Sequence, residues 1–560
     1  MMPEISIQVK REMKDAEKWA KAHQLTPLRL QTARLVLADV AGGMSVAEAQ
    51  KKHPLPDGSG YVAKHVLVAE YRNMVEQGEM DDDPVLLARI RMKPVRTLSG
   101  VTTITVLTKP HPCPGDCIFC PTDDRMPKSY LPDEPGAARA YENEFDPFRQ
   151  VTARMQSLEA VGHPTDKIEL LILGGTWDAY PREYQRWFVQ RCLDAMNPTP
   201  ARDLEDAQVQ NEASAHRNVG LVVETRPDRI NPAELAWLRH LGVTKIQMGA
   251  QSLDDHILAL NRRGHTVAQT LQATALLRAS AYKTVLHWMP NLLGATLESD
   301  RVDFARLWHG YCPDELKIYP TQLLETAELY QIWQKGGYQP YTTSELIDLI
   351  ARLKPGVPVY CRINRIIRDI PSNHVVDGNR RTSLRQDIKE EMETRGLSCT
   401  CIRCREVRGE WVNPAELTLQ DHVYHPAWAE DHFLSFVTPQ DRIAGYLRLS
   451  LPDIFNSRRS RRVPAAARAE HMAMLDVVPD LHAAALVREV HVYGQALGVG
   501  AEQQGAAQHI GLGTRLIEKA GEIAKSQGYK RLAVISAIGT RLYYDARGFE
   551  RGELYQVKEL

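Results

Sequence analysis

The sequence predicts an α/β chain: a full or partial βα barrel in its middle, a small α+β domain after it, and a helical region ahead of it. Three observations carry this. Between residues 96 and 350, short apolar runs alternate with amphipathic helical stretches. The runs are KIELLILGG, VGLVVETRPD, VTKIQMGAQS, YKTVLHWMP and DELKIYP, separated by helical patterns such as PREYQRWFVQRCLDAM, NPAELAWLRHLG and VAQTLQATALLRAS. Parallel neighbours need a crossover, so this alternation calls for a parallel sheet with functional residues at the C-terminal ends of its strands. After about residue 410 the order changes to a strand pair (HFLSFVTP, RIAGYLRLS), a strand (LVREVHVYG), a helix (GTRLIEKAGEIAKSQG), a strand (RLAVISA) and a short helix before YQVKEL. That pattern predicts a mostly antiparallel sheet in residues 409–560. Residues 1–95 read as helices alone, among them SVAEAQKKH and YVAKHVLVAEYRNMVEQ, broken by Pro, Gly and Asp.

Residues 351–408 form a basic connector, with 13 Lys and Arg against 7 Asp and Glu. The arginine-rich SRRSRR stretch interrupts the last domain and reads as a mobile loop. With 560 residues, two or three domains are expected. The formal charge is -1, so any surface for a polyanion must be local. No run approaches the roughly 18 apolar residues that span a bilayer, and the charged N-terminus lacks the apolar centre of a signal peptide. A cytoplasmic protein is the expectation.

Nine cysteines in that compartment are not expected to form disulfides. Six fall in two clusters, Cys113/Cys117/Cys120 and Cys399/Cys401/Cys404, while Cys192, Cys312 and Cys361 read as buried packing residues. A structural zinc site wants four ligands. Three thiols on one loop, ahead of a βα pattern, suit an iron–sulfur cubane with one iron left open; a zinc site with a distant fourth ligand is the alternative. Gly174, Gly175 and Thr176 end the KIELLIL run, where glycines allow close approach to a ligand. Glu224, Arg226, Gln247 and the Asn261–Thr266 stretch fall at or just after later strand ends, and singly each could be a salt bridge or a loop cap.

In QHIGLGT, Gln508, Gly511, Leu512, Gly513 and Thr514 form a glycine-bearing loop that opens a helix, a site suited to pyrophosphate. The preceding strand, Glu489 to Val492 with Val490 and His491 between them, lies where main-chain groups could meet a pantetheine arm. Of Tyr543 and Tyr544, one is expected to be buried and one to point at a thioester.

The Cys-x3-Cys-x2-Cys motif with Phe119 resembles that of the radical S-adenosylmethionine (SAM) enzymes, and QHIGLGT resembles the coenzyme A loop of the GNAT acetyltransferases. Joined in this order with KPVRTLSGV, RRGHT, LKIYPT and REVHVYG, the two resemble the catalytic subunit family of Elongator from about residue 90 onward. The resemblance implies a partial radical SAM barrel followed by a GNAT domain. It also implies a [4Fe-4S] cluster on Cys113, Cys117 and Cys120, and SAM held by Gly174, Gly175, Thr176, Glu224, Arg226 and Gln247. Acetyl-CoA would lie along Glu489–Val492 and the Gln508–Thr514 loop, with Tyr544 and Lys167 as the catalytic candidates. The implied activity is synthesis of 5-carboxymethyluridine at uridine 34 of tRNA. A deoxyadenosyl radical would take hydrogen from the acetyl methyl group, the carbon radical would add to the base, and the thioester would be hydrolysed.

For CTCIRC, bound zinc and free thiols are both open readings, with His374, His422 or His425 as a fourth ligand. The connector arginines, including Arg362, Arg365, Arg368, Arg380, Arg381 and Arg385, are candidates for phosphate contacts to the anticodon arm. Tyr319 and Pro320 are candidates to line a pocket for the target base, splayed from its loop. MPNLLG replaces the more usual MPGLPG of the family. A homodimer or a larger Elongator-like assembly is expected. Two other readings compete: a protein lysine acetyltransferase whose iron–sulfur domain is structural, with Glu489 as general base, and a non-catalytic tRNA-binding scaffold.

Overall fold

The structure, a computed structural model, describes residues 25–93, 97, 99–408, 412–493 and 511–560. It divides into two compact units. The first gathers the residues up to Thr97 with Ala153–Thr165. Its helices include Pro27–Ala41, Val46–Lys52, Lys64–Glu76 and Pro84–Ile90. Their starts are written in the sequence: Ser45 and Glu48 form a reciprocal capping box, and Asp83 caps the N–H groups of Val85 and Leu86 with Pro84 at the first helical position. Val36, Leu37, Val40, Val66, Leu67 and Tyr71 are buried between them.

The second unit holds two seven-stranded sheets. The first is built from β1 (Thr102–Leu107), β2 (Lys167–Leu173), β3 (Arg217–Thr225), β4 (Lys245–Gln251), β5 (Lys283–Trp288), β6 (Glu315–Ile318) and β7 (Arg362–Arg365). They pair in chain order, every neighbour parallel, as an open βα barrel requires. The sheet runs past residue 350, since β7 lies inside the segment read as a connector. In the MPNLLG stretch, Asn291 has φ +63°. Asn is among the few non-glycine residues that take this left-handed conformation readily. Its side chain accepts from Tyr341 N at 2.6 Å and its backbone N donates to Asp300 Oδ2 at 2.9 Å, and these bonds hold the turn.

The second sheet comprises β8 (Thr418–Tyr424), β9 (Ala429–Val437), β10 (Ile443–Pro452), β11 (Ala484–Val492), β12 (Arg531–Val534), β13 (Glu550–Arg551) and β14 (Gln556–Glu559), in the order β13-β14-β12-β11-β10-β9-β8. Only β11 and β12 run parallel; the other pairs are antiparallel. The helix Leu512–Ser526 packs on β9, β10 and β11. The arginine-rich insert is folded: short turns at Asp453–Phe455 and Ser460–Arg462 lead into the helix Ala465–Val477, which packs on the barrel helices Pro232–His240 and Val267–Ala279. It is not the loose loop that its charge suggests.

The C-terminal sheet docks on the N-terminal ends of the barrel strands through buried charge. Asp314, just before β6, accepts from Arg488 Nη1 at 3.0 Å, also meets Arg488 Nη2, and lies 3.4 Å from Arg448 Nη1; all three side chains are fully buried. Asp431 on β9 binds Arg278 from a barrel helix and Arg488 Nη1 at 3.2 Å. The paired arginines hold the Asp314 carboxyl below its ordinary pKa even though burial acts against them. A bulge in β11 helps: Arg448 pairs with Glu489 and Leu449 with Val487, leaving Arg488 as the extra residue. Arg488 and Glu489, consecutive in sequence, thereby both reach barrel residues, Asp314 and Lys283. Among the described residues, no helix is long and apolar enough to cross a membrane.

Replacing Asp314 with Ala leaves two buried guanidiniums without this partner. Denaturant unfolding of Asp314→Ala is expected to show a loss of about 3–5 kcal/mol.

Candidate functional site

β1 delivers the chain to the C-terminal edge of the barrel, where the three-cysteine loop follows. Cys113 Sγ lies 3.5 Å from Thr176 Oγ1, and Arg263 Nη1 donates to Cys117 Sγ at 3.4 Å. Arg226 reaches the same loop. Its Nε donates to Asp228 at 2.9 Å and its Nη2 to the carbonyl of Arg263 at 2.8 Å, while Nη1 is buried without a partner. Gly115 makes room for that guanidinium, since a Cβ there would collide with Nη1. The Cys120 hydrogen bond, then Arg263 and Arg226, bring the Cys117 thiol down to about 5 against the effect of burial. Cys120 is pushed up by the same hydrogen bond and by burial. Phe119 anchors the loop in an apolar cluster with Ile257, Leu292 and Leu323. Three thiols, two cations and an unsatisfied buried N–H suit an anionic iron–sulfur cluster.

Gly174 and Gly175 follow β2 with φ +142° and +88°. A Cβ on Gly174 would run into Thr108 Oγ1, so the strand end closes tightly beside the cysteine loop. Glu224 and Gln247 are register partners on β3 and β4. His287 joins them, with Nε2 at 3.2 Å from Gln247 Oε1 and Nδ1 at 3.6 Å from Glu224 Oε1. Lys317 also donates to Gln247 Oε1, and Tyr130 OH donates to Glu224 Oε2 at 3.1 Å. Burial, then Lys317 and Arg368, hold His287 well below its ordinary pKa. Tyr319 packs edge-on against His287, with ring centroids 5.3 Å apart.

Deeper toward the C-terminal sheet, charges alternate in a chain. Lys245 Nζ meets Glu169 at 2.5 Å and Glu315 at 3.5 Å; Lys283 Nζ meets Glu315 and Glu489, each at 2.5 Å. Lys167 begins β2 and stands about 23 Å along the strand from Gly174, at seven residues of roughly 3.3 Å each. It sits beside Arg217, its register partner, and Gly539 packs on Arg217 and Asn218. Lys167 is therefore at the barrel end that receives the C-terminal domain, away from the cysteines. Burial lowers its pKa.

In the C-terminal sheet, β12 pairs with β11 only from Ala484 to Val487, so its ladder ends before Glu489–Val492. Gly511, at φ +71°, caps the helix that starts at Leu512, and Gly513 and Thr514 follow in its first turn. Gln508 lies outside the described residues. A diverging strand beside a helix N-terminus is the geometry that an acyl-CoA arm and its pyrophosphate would use. Tyr544 is the buried member of the tyrosine pair, and burial raises its phenol pKa. Tyr543 is more open, lies under Arg547 at 3.4 Å from the ring centroid, and has its hydroxyl next to Gly513.

Glu489 does not have the freedom of a general base. It accepts from Tyr446 OH at 2.9 Å, Arg448 Nε at 2.8 Å and Lys283 Nζ at 2.5 Å, and Lys283 and Arg448 hold its pKa far below the usual carboxylate range despite burial. Cys399, Cys401 and Cys404 bring their sulfurs within 4.8 Å of one another, with Cys401 and Cys404 3.6 Å apart. None of the three histidines joins them: His374 pairs with Asp133 at 2.6 Å, His425 with Glu430 at 3.4 Å, and His422 lies against Tyr360.

Comparison with known proteins places this geometry. Residues 111–307 match the Radical SAM superfamily, and residues 313–394 match the Radical_SAM C-terminal domain. The chain is similar to the tRNA uridine(34) acetyltransferase of Methanocaldococcus infernus, 39% identical over 497 residues that cover 86% of this chain and 89% of the relative. It is also similar to Elongator complex protein 3 of Danio rerio, 33% identical over 496 residues that cover 85% and 87% of the two chains. The chain belongs to the Elongator protein 3 family. The solved structure of archaeal Methanocaldococcus infernus Elp3 with an N-terminal deletion superposes with a TM-score of 0.69 at 36% identity, covering 82% of this chain and 99% of that one.

Within the Elongator protein 3 fold seen here, the structure brings Cys113, Cys117, Gly174, Thr176 and Arg226 together and separates Lys167 from them. Several contacts were beyond sequence reasoning. His287 and Lys317 lie in runs read only as strands, and the strands' inward face was the one signal available. Tyr130 and Arg368 come from loops.

Gly174→Ala is expected to weaken SAM binding by about tenfold or more in equilibrium dialysis, a loss of roughly 1.4 kcal/mol. Adding Thr108→Ala should restore only part of it, because the backbone angle still disfavours a side chain.

Proposed function

We propose that this protein modifies the wobble uridine of tRNA, building the 5-carboxymethyl group from acetyl-CoA. The observation that carries the reading is the pairing, on one chain, of a cysteine loop flanked by Arg226 and Arg263 with a C-terminal sheet that diverges beside a helix N-terminus. When bound, the iron–sulfur cluster and SAM supply a 5′-deoxyadenosyl radical able to take hydrogen from a methyl group. The chain's own part is placement. Gly174 and Gly175 admit the methionyl end of SAM, Arg226 and Arg263 offset the charge of the thiolates, and Glu489–Val492 lie along the acyl arm. Lys167 faces the acyl-CoA end of the barrel, and Tyr543, whose hydroxyl lies next to Gly513, is the tyrosine open to the acyl arm, whereas Tyr544, favoured for that role by resemblance, is buried.

The competing lysine acetyltransferase needs a base near neutrality to take the amine proton. Glu489 already accepts three donors and is held strongly acidic, which favours uridine over lysine. In anaerobic assays with tRNA, SAM, reductant and acetyl-CoA labelled in its methyl group, label is expected in a uridine on nucleoside mass spectrometry. Cys117→Ala should abolish that signal; label confined to protein lysines would sink the proposal.

The second cysteine group supports a zinc ion with a structural role. Zinc–sulfur bonds of about 2.3 Å put tetrahedral sulfurs about 3.8 Å apart, close to the spacing of Cys401 and Cys404. Cys401 Sγ is the thiol held lowest of the three, through hydrogen bonds with Cys399 and Cys404. Cys401→Ser is expected to lower the zinc content measured by mass spectrometry and to reduce Tm by several degrees. Uridine labelling per folded molecule should change little.

A further inference from the structure

The connector arginines, the obvious phosphate contacts by sequence, are largely paired with carboxylates of this chain, although Arg365 and Arg381 remain exposed. Arg362 pairs with Glu406, Arg365 with Asp369, Arg368 with Glu134, Arg381 with Asp387 and Arg405 with Asp441. The insert after β10 is the reverse. One of its arginines, Arg459, turns inward to Asp453 at 2.7 Å and Glu430 at 2.8 Å. Asn456 Oδ1 accepts from the backbone N–H of Arg458 at 3.1 Å and of Arg459 at 3.0 Å. Together they fix the turn. Arg458, Arg461 and Arg462 on that turn, and Arg468 on the helix behind it, are exposed, and none forms an ion pair among the described residues.

We propose that this turn is a second phosphate-contacting surface, which holds the sugar–phosphate backbone of the tRNA at a distance from the base being modified. The inference rests on tRNA being the substrate. Four exposed like charges on a fixed scaffold raise the local positive potential, and guanidiniums match phosphate oxygens in bidentate geometry. Because the turn is already ordered, docking costs less conformational entropy than ordering a loose basic loop would. Its position also fits. Gly445–Arg448 of β10 pair with Glu489–Val492, whereas the insert leaves β10 at Pro452, four residues and about 13 Å further along the strand. An RNA spanning both points would meet the turn with nucleotides other than the target. An anionic membrane is the less apt partner, since none of the exposed large apolar side chains falls between residues 453 and 468.

The test compares the full-length protein with the triple variant Arg458→Gln, Arg461→Gln, Arg462→Gln, using fluorescence anisotropy of unmodified tRNA between about 50 and 200 mM salt. The variant is expected to bind about tenfold more weakly at the low end, and its plot of log affinity against log salt should be shallower by about 2 to 3. Tm should be unchanged, because these side chains hold no ion pair. Equal affinity and equal slope would overturn the proposal. So would loss of binding to vesicles of phosphatidylcholine with phosphatidylserine alongside an unchanged tRNA slope, which would assign the turn to a membrane. A shallower slope without any labelled uridine leaves this surface standing and removes the proposed reaction; labelled uridine with equal slopes does the opposite.

Discussion

Buried charge between the barrel and the C-terminal sheet is the constraint on which the rest of the second unit depends. Asp314 and Asp431 on one side of the network and Arg278, Arg448 and Arg488 on the other are withdrawn from water, and each relies on partners contributed by the other module. Such networks add little net stability compared with an apolar seam, but they are intolerant of misalignment, because a shifted partner leaves a bare charge in a dry interior. The interface is therefore specified as much as it is stabilised. The remaining contacts follow the same line: Arg239 donates to the carbonyl of Leu554 at 2.9 Å, Tyr555 OH to that of Ser280 at 2.6 Å, and Arg541 pairs with Glu212 at 3.1 Å.

This docking sets the two candidate centres at opposite ends of one barrel. The cysteine loop and the Gly174–Thr176 turn occupy the C-terminal ends of the strands, as the βα architecture favours. The Glu489–Val492 segment and the helix N-terminus at Leu512 lie beyond the N-terminal ends. At the end of the barrel that meets the C-terminal sheet, Glu169, Lys245, Glu315, Lys283 and Glu489 neutralise one another in sequence, so that end is polar without a large net charge.

Much of this was legible in the sequence, and the exceptions have physical causes. Strands β2 to β6 are apolar runs bounded by turn residues, and the helices between them, Arg182–Asp194 excepted, carry their caps in the sequence. Strand β7, RINR, is four residues long and three of them are polar; its neighbours rather than its composition make it a strand. Strand β8, TLQDHVY, is a mostly exposed edge strand with no apolar face to announce it. The cysteine loop and the glycine turn could be read because their chemistry is local. The grouping of Glu224, Gln247, His287 and Lys317 could not, since it depends on which face of each strand turns inward. In the insert, the density of arginine concealed Asp453, Asn456 and the distant Glu430 that hold it in shape.

The bulge at Arg488 has an evolutionary corollary. Strands tolerate substitution readily, but a change of length by one residue exchanges the two faces of everything beyond it. Here the extra residue allows adjacent positions to serve the same neighbour, whereas in a strand of regular alternation one of the two charged side chains would point away from the barrel. Homologues that keep this junction should therefore vary in residue type along β11 while conserving its residue count, with insertions confined to the segments on either side.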